Sequence, residues 1–237
     1  MVLLDRTYPE PAENLACDEA LLLACDAGYD ALRFWEPERH FVVLGYTNRL
    51  ADEVNAEACR SLHIPLFRRY SGGGTVLQGP GCLNYTLVLR IPASGPTSTI
   101  SGTTQFILER NLSALQGLLR DRIAISGSSD LAINGMKFSG NAQRRTRHAL
   151  MFHGTFLLDF DIDLVERVLR LPSNQPRYRA GRTHRDFLRN IPLRSDAVRT
   201  ALRDAWHATQ EADDIPPDTL RKLARERYAD PGWTHRR

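Results

Sequence analysis

Three consecutive glycines close the stretch Phe67-Arg68-Arg69-Tyr70-Ser71-Gly72-Gly73-Gly74-Thr75-Val76, directly after an apolar run and two arginines. Such a backbone cannot continue a helix or a central strand, because each glycine adds chain entropy and removes a side chain that would pack. The reading is a strand over residues 64–67, a charged exit at Arg68-Arg69, and a turn that comes close to a ligand. Successive N–H groups in a turn of this kind form a nest for phosphate or carboxylate. A wide hairpin turn is the alternative for bare glycines, and the two adjoining guanidiniums favour the ligand.

At 237 residues the chain can bury a substantial core as one domain. Its 42% hydrophobic and 25% charged residues are those of an ordinary soluble protein. A net charge of +3 is too mild to argue for nucleic acid, so local clustering of arginine matters more than the total. Asp5, Arg6, Glu10, Glu13, Asp18, Glu19 and Asp26 interrupt the first thirty residues. The expectation is a cytoplasmic protein with neither a secretion signal nor a membrane segment. Cys17, Cys25, Cys59 and Cys82 lack the spacing of a zinc site or a disulfide framework, and the first three fall in helix-like segments as small buried side chains.

Residues 14–27 read as a buried helix, capped by Asn14 and closed by Gly28. Residues 31–35 and 41–44 read as paired strands around Glu36-Pro37-Glu38, and residues 53–62 as a helix. Further strands are expected at 75–77 and 83–91, flanking the turn Gln78-Gly79-Pro80-Gly81. Leu108, Leu112, Leu115 and Leu119 share one helical face, in a helix beginning near Ser98. Strand candidates follow at 123–125, 131–133, 137–143 and 150–159, then helices at 163–171, around Val198, Leu202 and Ala205, and at 218–228. Strands clustered in mid-chain, with helices interspersed, predict an α/β (α+β) fold with a central mixed or antiparallel sheet flanked by helices. No GxGxxG opens a helix after a first strand, which argues against a dinucleotide fold.

A second unusual stretch is Asp130-Leu131-Ala132-Ile133-Asn134-Gly135-Met136-Lys137-Phe138-Ser139-Gly140-Asn141-Ala142-Gln143. Asn134-Gly135 fits a type I′ turn between two strands, with Lys137 just beyond it. A strand lysine is ordinarily a solvated side chain, but Ser139-Gly140-Asn141-Ala142 leaves room for something to lie against this strand. A compact ammonium there can hold a carboxylate and a phosphate together and stabilise charge developing between them. His153, in Phe152-His153-Gly154-Thr155, either orients a substrate or is a hydrogen-bonded structural residue.

The motifs RRYSGGGTV, DLAINGMKFSGNAQRR and FHGTFLLDFD, in this order, resemble the lipoate-protein ligase A family within the biotin and lipoate ligases and octanoyl transferases. The resemblance runs from about Leu15 to about Leu171, with a family-like tail RYADPGWTHRR. It implies ATP-dependent activation of lipoate to lipoyl-AMP, with magnesium accompanying ATP, and transfer to a lysine of a carrier: a 2-oxoacid dehydrogenase lipoyl domain, a glycine-cleavage H protein or a related protein. By motif, Arg69, Gly74, Thr75, Val76, Leu77 and Ala142 would line the nucleotide site. Ser71, Gly72, Gly73, Asn84, Gly140, His153 and Gly154 would line the acyl chain, and Lys137 would bridge the two. No carboxylate in these motifs identifies itself as a metal ligand.

Two departures stand out. Many ligases of this kind follow the glycine turn with a histidine-aspartate pair and Gly-Asn, where this chain has Gln78-Gly79-Pro80-Gly81-Cys82-Leu83-Asn84. The length predicts a single catalytic domain over residues 1–237, with 172–237 as its loop and helical tail and any accessory domain supplied by a separate subunit. The rival is an octanoyl transferase that carries the acyl group on a cysteine. In one branch that cysteine lies three residues before the His-Gly pair, where this chain has Leu150, and Cys82 stays open as a second position. A lipoyl-domain binding protein without activity is a third reading. Finally, Arg170, Arg177, Arg179, Arg182, Arg185, Arg189 and Arg194 predict a long ordered loop that clamps phosphate, steers an acidic carrier or is a solvated connector.

Overall fold

The computed structural model describes residues 1–25, 30–172, 174–212 and 217–236. The strands are β1 (Val2–Asp5), β2 (Ala31–Trp35), β3 (Phe41–Leu44), β4 (Leu66–Arg68), β5 (Val76–Gln78), β6 (Cys82–Arg90), β7 (Ile123–Ser126), β8 (Asp130–Ile133), β9 (Met136–Arg145), β10 (Ala149–Leu157) and β11 (Gln210–Glu211). The helices are α1 (Pro11–Cys25), α2 (Leu50–Glu53), α3 (Ala56–Ser61), α4 (Ile100–Gln116), α5 (Ile162–Val168), α6 (His184–Phe187), α7 (Ser195–Ala205), α8 (Pro217–Leu223) and α9 (Pro231–Thr234).

The large sheet runs β11-β1-β2-β6-β10-β9-β8-β7, parallel from β11 to β2 and antiparallel beyond. A small sheet, β4-β3-β5, stands beside it. Helices cover the large sheet, giving the mixed architecture expected from the strand-rich middle of the chain.

Alternation along the strands gives the large sheet two unlike faces. Leu32, Phe34, Leu83, Tyr85, Leu87, Leu150, Phe152 and Phe156 join Ile107, Leu108, Leu115, Val198 and Leu202 of α4 and α7 in one apolar cluster. The opposite face meets α1 and carries polar residues: Arg33 of β2, Thr86 of β6, His153 of β10 and Ala142 of β9 form one cross-strand row. Trp35, Asn84, Thr155 and Gly140 form the next row, and Ala31, Val88, Met151 and Arg144 a third. α1 is buried almost all round, and it answers the polar rows with Asn14 and Asp18. Arg33 is fully buried and donates to Asp18 Oδ1 at 2.5 Å, Asn14 Oδ1 at 2.8 Å and the Asn14 carbonyl at 2.8 Å.

Several local expectations are corrected. β2 and β3 do not pair, because β2 is buried at every position and inserts between β1 and β6, where both faces are covered. β3 is taken up instead by β4 and β5. The helix expected over 53–62 breaks in two where Val54 bridges Leu169 and Asn55 caps α3 by accepting from the Ala58 N–H. Leu169 is thereby extended, and α5 ends at Val168. Asn14 is no cap: α1 starts at Pro11, a residue suited to a first turn, and the Asn14 side chain turns to Tyr8 and Arg33. The closure at Gly28 lies outside the described residues. Pro217 opens the last helix one residue early, and it ends in a π-type turn over Ala224–Tyr228.

Removing one member of a buried ion pair strands the other charge. Asp18→Ala is therefore expected to lower stability by about 3–5 kcal/mol in urea unfolding, and a loss below ~1 kcal/mol would show that the Arg33 charge is satisfied by neutral acceptors alone.

Candidate active site

The glycine loop is shaped from beneath by Arg69. Its guanidinium is buried and donates to the Gly72 carbonyl (2.6 and 3.1 Å), the Gly74 carbonyl (2.7 Å) and Ser71 Oγ (3.1 Å). Burial pulls this group down to about 10, which leaves it charged at neutral pH. Because a trans peptide directs its C=O and N–H oppositely, turning the Gly72 and Gly74 carbonyls inward directs the N–H groups of Gly73 and Thr75 away from Arg69. Gly73 has φ +86°, and a Cβ there would lie 3.3 Å from Ala142 Cβ and 2.9 Å from Arg69. Glycine is thus required both by the conformation and by the close approach to β9. Thr75 Oγ1 is buried beside this loop with no hydrogen-bond partner among the described residues.

Arg68 is fully buried and faces the other way. It donates to the carbonyls of Gly45 (2.9 Å), Asn48 (2.8 Å) and Thr234 (2.9 and 3.0 Å). The tail is thereby fastened behind the glycine loop, and Trp233 Nε1 returns a hydrogen bond to the Arg68 carbonyl at 2.8 Å. Around this junction guanidiniums and aromatic rings alternate. Arg144 lies 4.1 Å over Tyr70, and Arg236 lies 3.9 Å over Tyr46 and 4.0 Å over Trp233.

Ser71 Oγ lies 2.6 Å from His153 Nε2, so the loop is seated on the polar face of β10. Burial, helped by the Arg69 charge, pushes His153 down to about 3. Asn84 is enclosed in a ring: Gln78 Nε2 donates to Thr155 Oγ1, Thr155 to Asn84 Oδ1, and Asn84 Nδ2 to Gln78 Oε1, over 2.5–2.9 Å. Gln78 and Asn84, at the two ends of the turn that departs from the family pattern, are thus closed into one polar ring with Thr155. Val76 and Leu77 lie in β5, in the small sheet. Gly154 faces the opposite side of the large sheet, where its missing Cβ admits Asn141 against Tyr85.

Lys137 reaches the polar face through an irregularity. The Asn134-Gly135 turn has both φ angles positive, at 52° and 74°, as a type I′ hairpin requires, and pairs Ile133 with Met136 and Ala132 with Lys137. Beyond it the register shifts, so that Leu131 faces Ser139 and Phe138 is the extra residue of a β-bulge. Phe138 enters the apolar cluster, and Lys137 turns over Gly140 on the other face. A Cβ at 140 would lie 2.5 Å from Lys137 Nζ, so what occupies the space beside the small residues is the lysine itself. Nζ pairs with Asp130 Oδ1 at 2.8 Å, with the lysine side chain 25% exposed and the aspartate 10%.

Sequence reasoning passed over Asp130 and Arg144. The two-residue turn already placed residue 130 near 139 and 140, whereas nothing in the sequence marked Arg144 as the partner of Tyr70. In the arginine-rich segment, Arg182 donates to the carbonyls of Tyr178, Arg179, Gly135 and Asp186 at 2.7–3.3 Å and so fastens the loop. Arg185 pairs with Asp163 at the surface. Cys82 is fully buried among Val42, Leu77 and Leu157, and burial drives its thiol far up. Leu150 lies in the apolar cluster against α4. Among the described residues no three His, Cys, Asp or Glu side chains are grouped to hold a metal, and no helix is long and apolar enough to cross a membrane.

Fold and site define an α/β domain that presents a lysine and a glycine loop on one polar sheet face. The chain belongs to the lipoyl protein ligase A/B catalytic domain family, whose model matches residues 10–192. It is similar to a lipoate-protein ligase A subunit 1 of Thermoplasma acidophilum, at 28% identity over 96% of this chain and 91% of that one. It is also similar to an octanoyltransferase LipM of Carboxydothermus hydrogenoformans, at 31% identity over 71% of this chain and 68% of the relative. A crystal structure of lipoate-protein ligase A bound with ATP superposes with TM-score 0.78 at 25% identity, covering 99% of this chain and 97% of the other.

A histidine held near 3 refuses a proton that the unfolded chain accepts near 6.5. The His153 contribution to stability is expected to be fully present above about pH 6.5 and lost as the pH falls towards 3. In an NMR titration its ring resonances should stay flat between about pH 5 and 8, and a midpoint in that interval would contradict the assignment.

Proposed function

We propose that this chain is a lipoate-protein ligase: it activates lipoate with ATP to lipoyl-AMP and passes the lipoyl group to a lysine of a carrier protein. In the first step a carboxylate oxygen of lipoate attacks the α-phosphorus and pyrophosphate leaves. In the second, the carrier amine attacks the acyl carbonyl, AMP leaves and the amine gives up a proton. The observation that carries this reading is that Lys137 and the glycine loop share one sheet face while every cysteine of the chain is buried.

Lys137 supplies the positive charge that holds the carboxylate and the α-phosphate together as negative charge builds between them. The outward N–H groups of Gly73 and Thr75, with the unpartnered Thr75 hydroxyl, supply donors for the adenylate. Ser71, seated on His153, closes the acyl side. Magnesium on this reading would arrive with the triphosphate and offset part of its charge, and Asp130, beside Lys137, is the carboxylate that would face it. The relative named subunit 1 supports a separate accessory subunit. The acceptor is a lipoyl-type carrier domain in the cytoplasm.

Relatives named octanoyltransferase support a second reading, acyl transfer from a carrier through a thiol. A thiolate nucleophile needs access and a depressed pKa, and Cys82 has neither. With lipoate, ATP and magnesium the protein is expected to release pyrophosphate and form lipoyl-AMP. Lys137→Ala should lower that rate by about 10²–10³-fold, and Cys82→Ala should leave it within about threefold, the change expected of a small core substitution remote from the chemistry. Octanoyl transfer from a carrier without ATP, abolished in Cys82→Ala, would overturn the ligase assignment.

A further inference from the structure

The arginine-rich segment does something its charge did not suggest. It houses Lys137. The Arg189 N–H donates to the Lys137 carbonyl at 2.9 Å, and Leu188 forms a parallel bridge with Lys137, so the lysine backbone is held by the far end of the segment. Its near end holds the side chain. The Tyr178 hydroxyl donates to Asp130 Oδ2 at 2.7 Å, while Asp130 Oδ1 takes Lys137 Nζ at 2.8 Å. Each carboxylate oxygen therefore has one charged or hydroxyl partner, and the plane of the carboxylate is fixed from both sides.

Tyr178 is itself built in. Its ring packs 5.1 Å from Phe187, and a Cβ at Gly127, in the turn between β7 and β8, would come within 3.1 Å of it. Arg182 ties the Tyr178 carbonyl at 2.7 Å to the Gly135 carbonyl of the β8–β9 turn at 2.9 Å. Burial and the neighbouring Asp130 charge push the tyrosine hydroxyl up, so it remains a donor.

We propose that Tyr178 is a positioning residue for Lys137, acting through Asp130. With the hydroxyl in place, Asp130 holds the ammonium over Gly140. Without it, one carboxylate oxygen loses its donor, the carboxylate turns, and Lys137 follows. The consequence for the reaction rests on the ligase reading above: a misplaced ammonium affects the transition state more than the bound substrates.

Lys137 and Lys222 are the two lysines of the chain, and Lys222 is exposed on α8, so an amine-reactive ester read by peptide mass spectrometry reports Lys137 against an internal control. In the full-length protein, Tyr178→Phe is expected to raise labelling of Lys137 relative to Lys222 towards the level of Asp130→Asn. The double variant should label no faster than Asp130→Asn alone, because both changes act on one linkage. For lipoyl-AMP formation, Tyr178→Phe should lower kcat about tenfold, the low end for an outer partner, with the KM for lipoate nearly unchanged. Unchanged labelling of Lys137 in Tyr178→Phe, or effects of Tyr178→Phe and Asp130→Asn that simply add, would overturn the proposal. Labelling decides the question even if the unmodified protein forms no adenylate, an outcome that would count against the ligase reading instead.

Discussion

Arg68 and Arg69 are neighbours in sequence, and both carry their guanidiniums into the protein. Burying charge is costly unless the donors find acceptors. Here main-chain carbonyls are the acceptors: Gly45, Asn48 and Thr234 for Arg68, and Gly72 and Gly74 for Arg69. A planar fork with five donors suits this work, which a lysine cannot do. Satisfying the two charges draws three separate segments to one strand end: the turn after β3, the glycine loop and the tail. The loop's shape and the direction of its free N–H groups follow from that requirement.

The same division of labour explains the lysine. With only two lysines among 31 basic residues, arginine does the binding of carbonyls and aromatic rings throughout this protein. Lys137 stands where a compact head on a flexible stem is needed, laid over a residue without a Cβ. Asp130 holds it there, and the arginine-rich segment holds Asp130. The thiols lie elsewhere, in hydrophobic clusters, where burial pushes those of Cys59 and Cys82 up.

Much of this was legible. The strands of the middle of the chain, the hairpin at Asn134-Gly135 and the leucine face of α4 follow from local pattern, because each depends on neighbours within a turn or a period. Family likeness assigned Ser71, Gly73, Ala142 and His153 to one site, but the meeting of Ser71 with His153 and of Gly73 with Ala142 was not legible, since no local rule brings together residues so far apart in the chain. Arg69 shows the limit most plainly. Its charge was legible, but its partners were carbonyls of its own loop, and backbone acceptors leave no trace in a sequence. Arg182 repeats the lesson, its donors taken up by four carbonyls.

The sequence by itself determined the class of fold, the presence of a glycine loop and a lysine just beyond the hairpin turn, since composition, alternation and turn chemistry act over short distances. It did not determine which way Lys137 points. With strict alternation, Lys137 would share a face with Ser139 and Asn141, on the apolar side of the sheet. The bulge at Phe138 reverses it, because the hydrophobic cluster under α4 takes the phenyl ring and the register with β8 yields by one residue. Only tertiary packing could decide that, and with it the pairing of Lys137 with Asp130 on the face where the glycine loop lies.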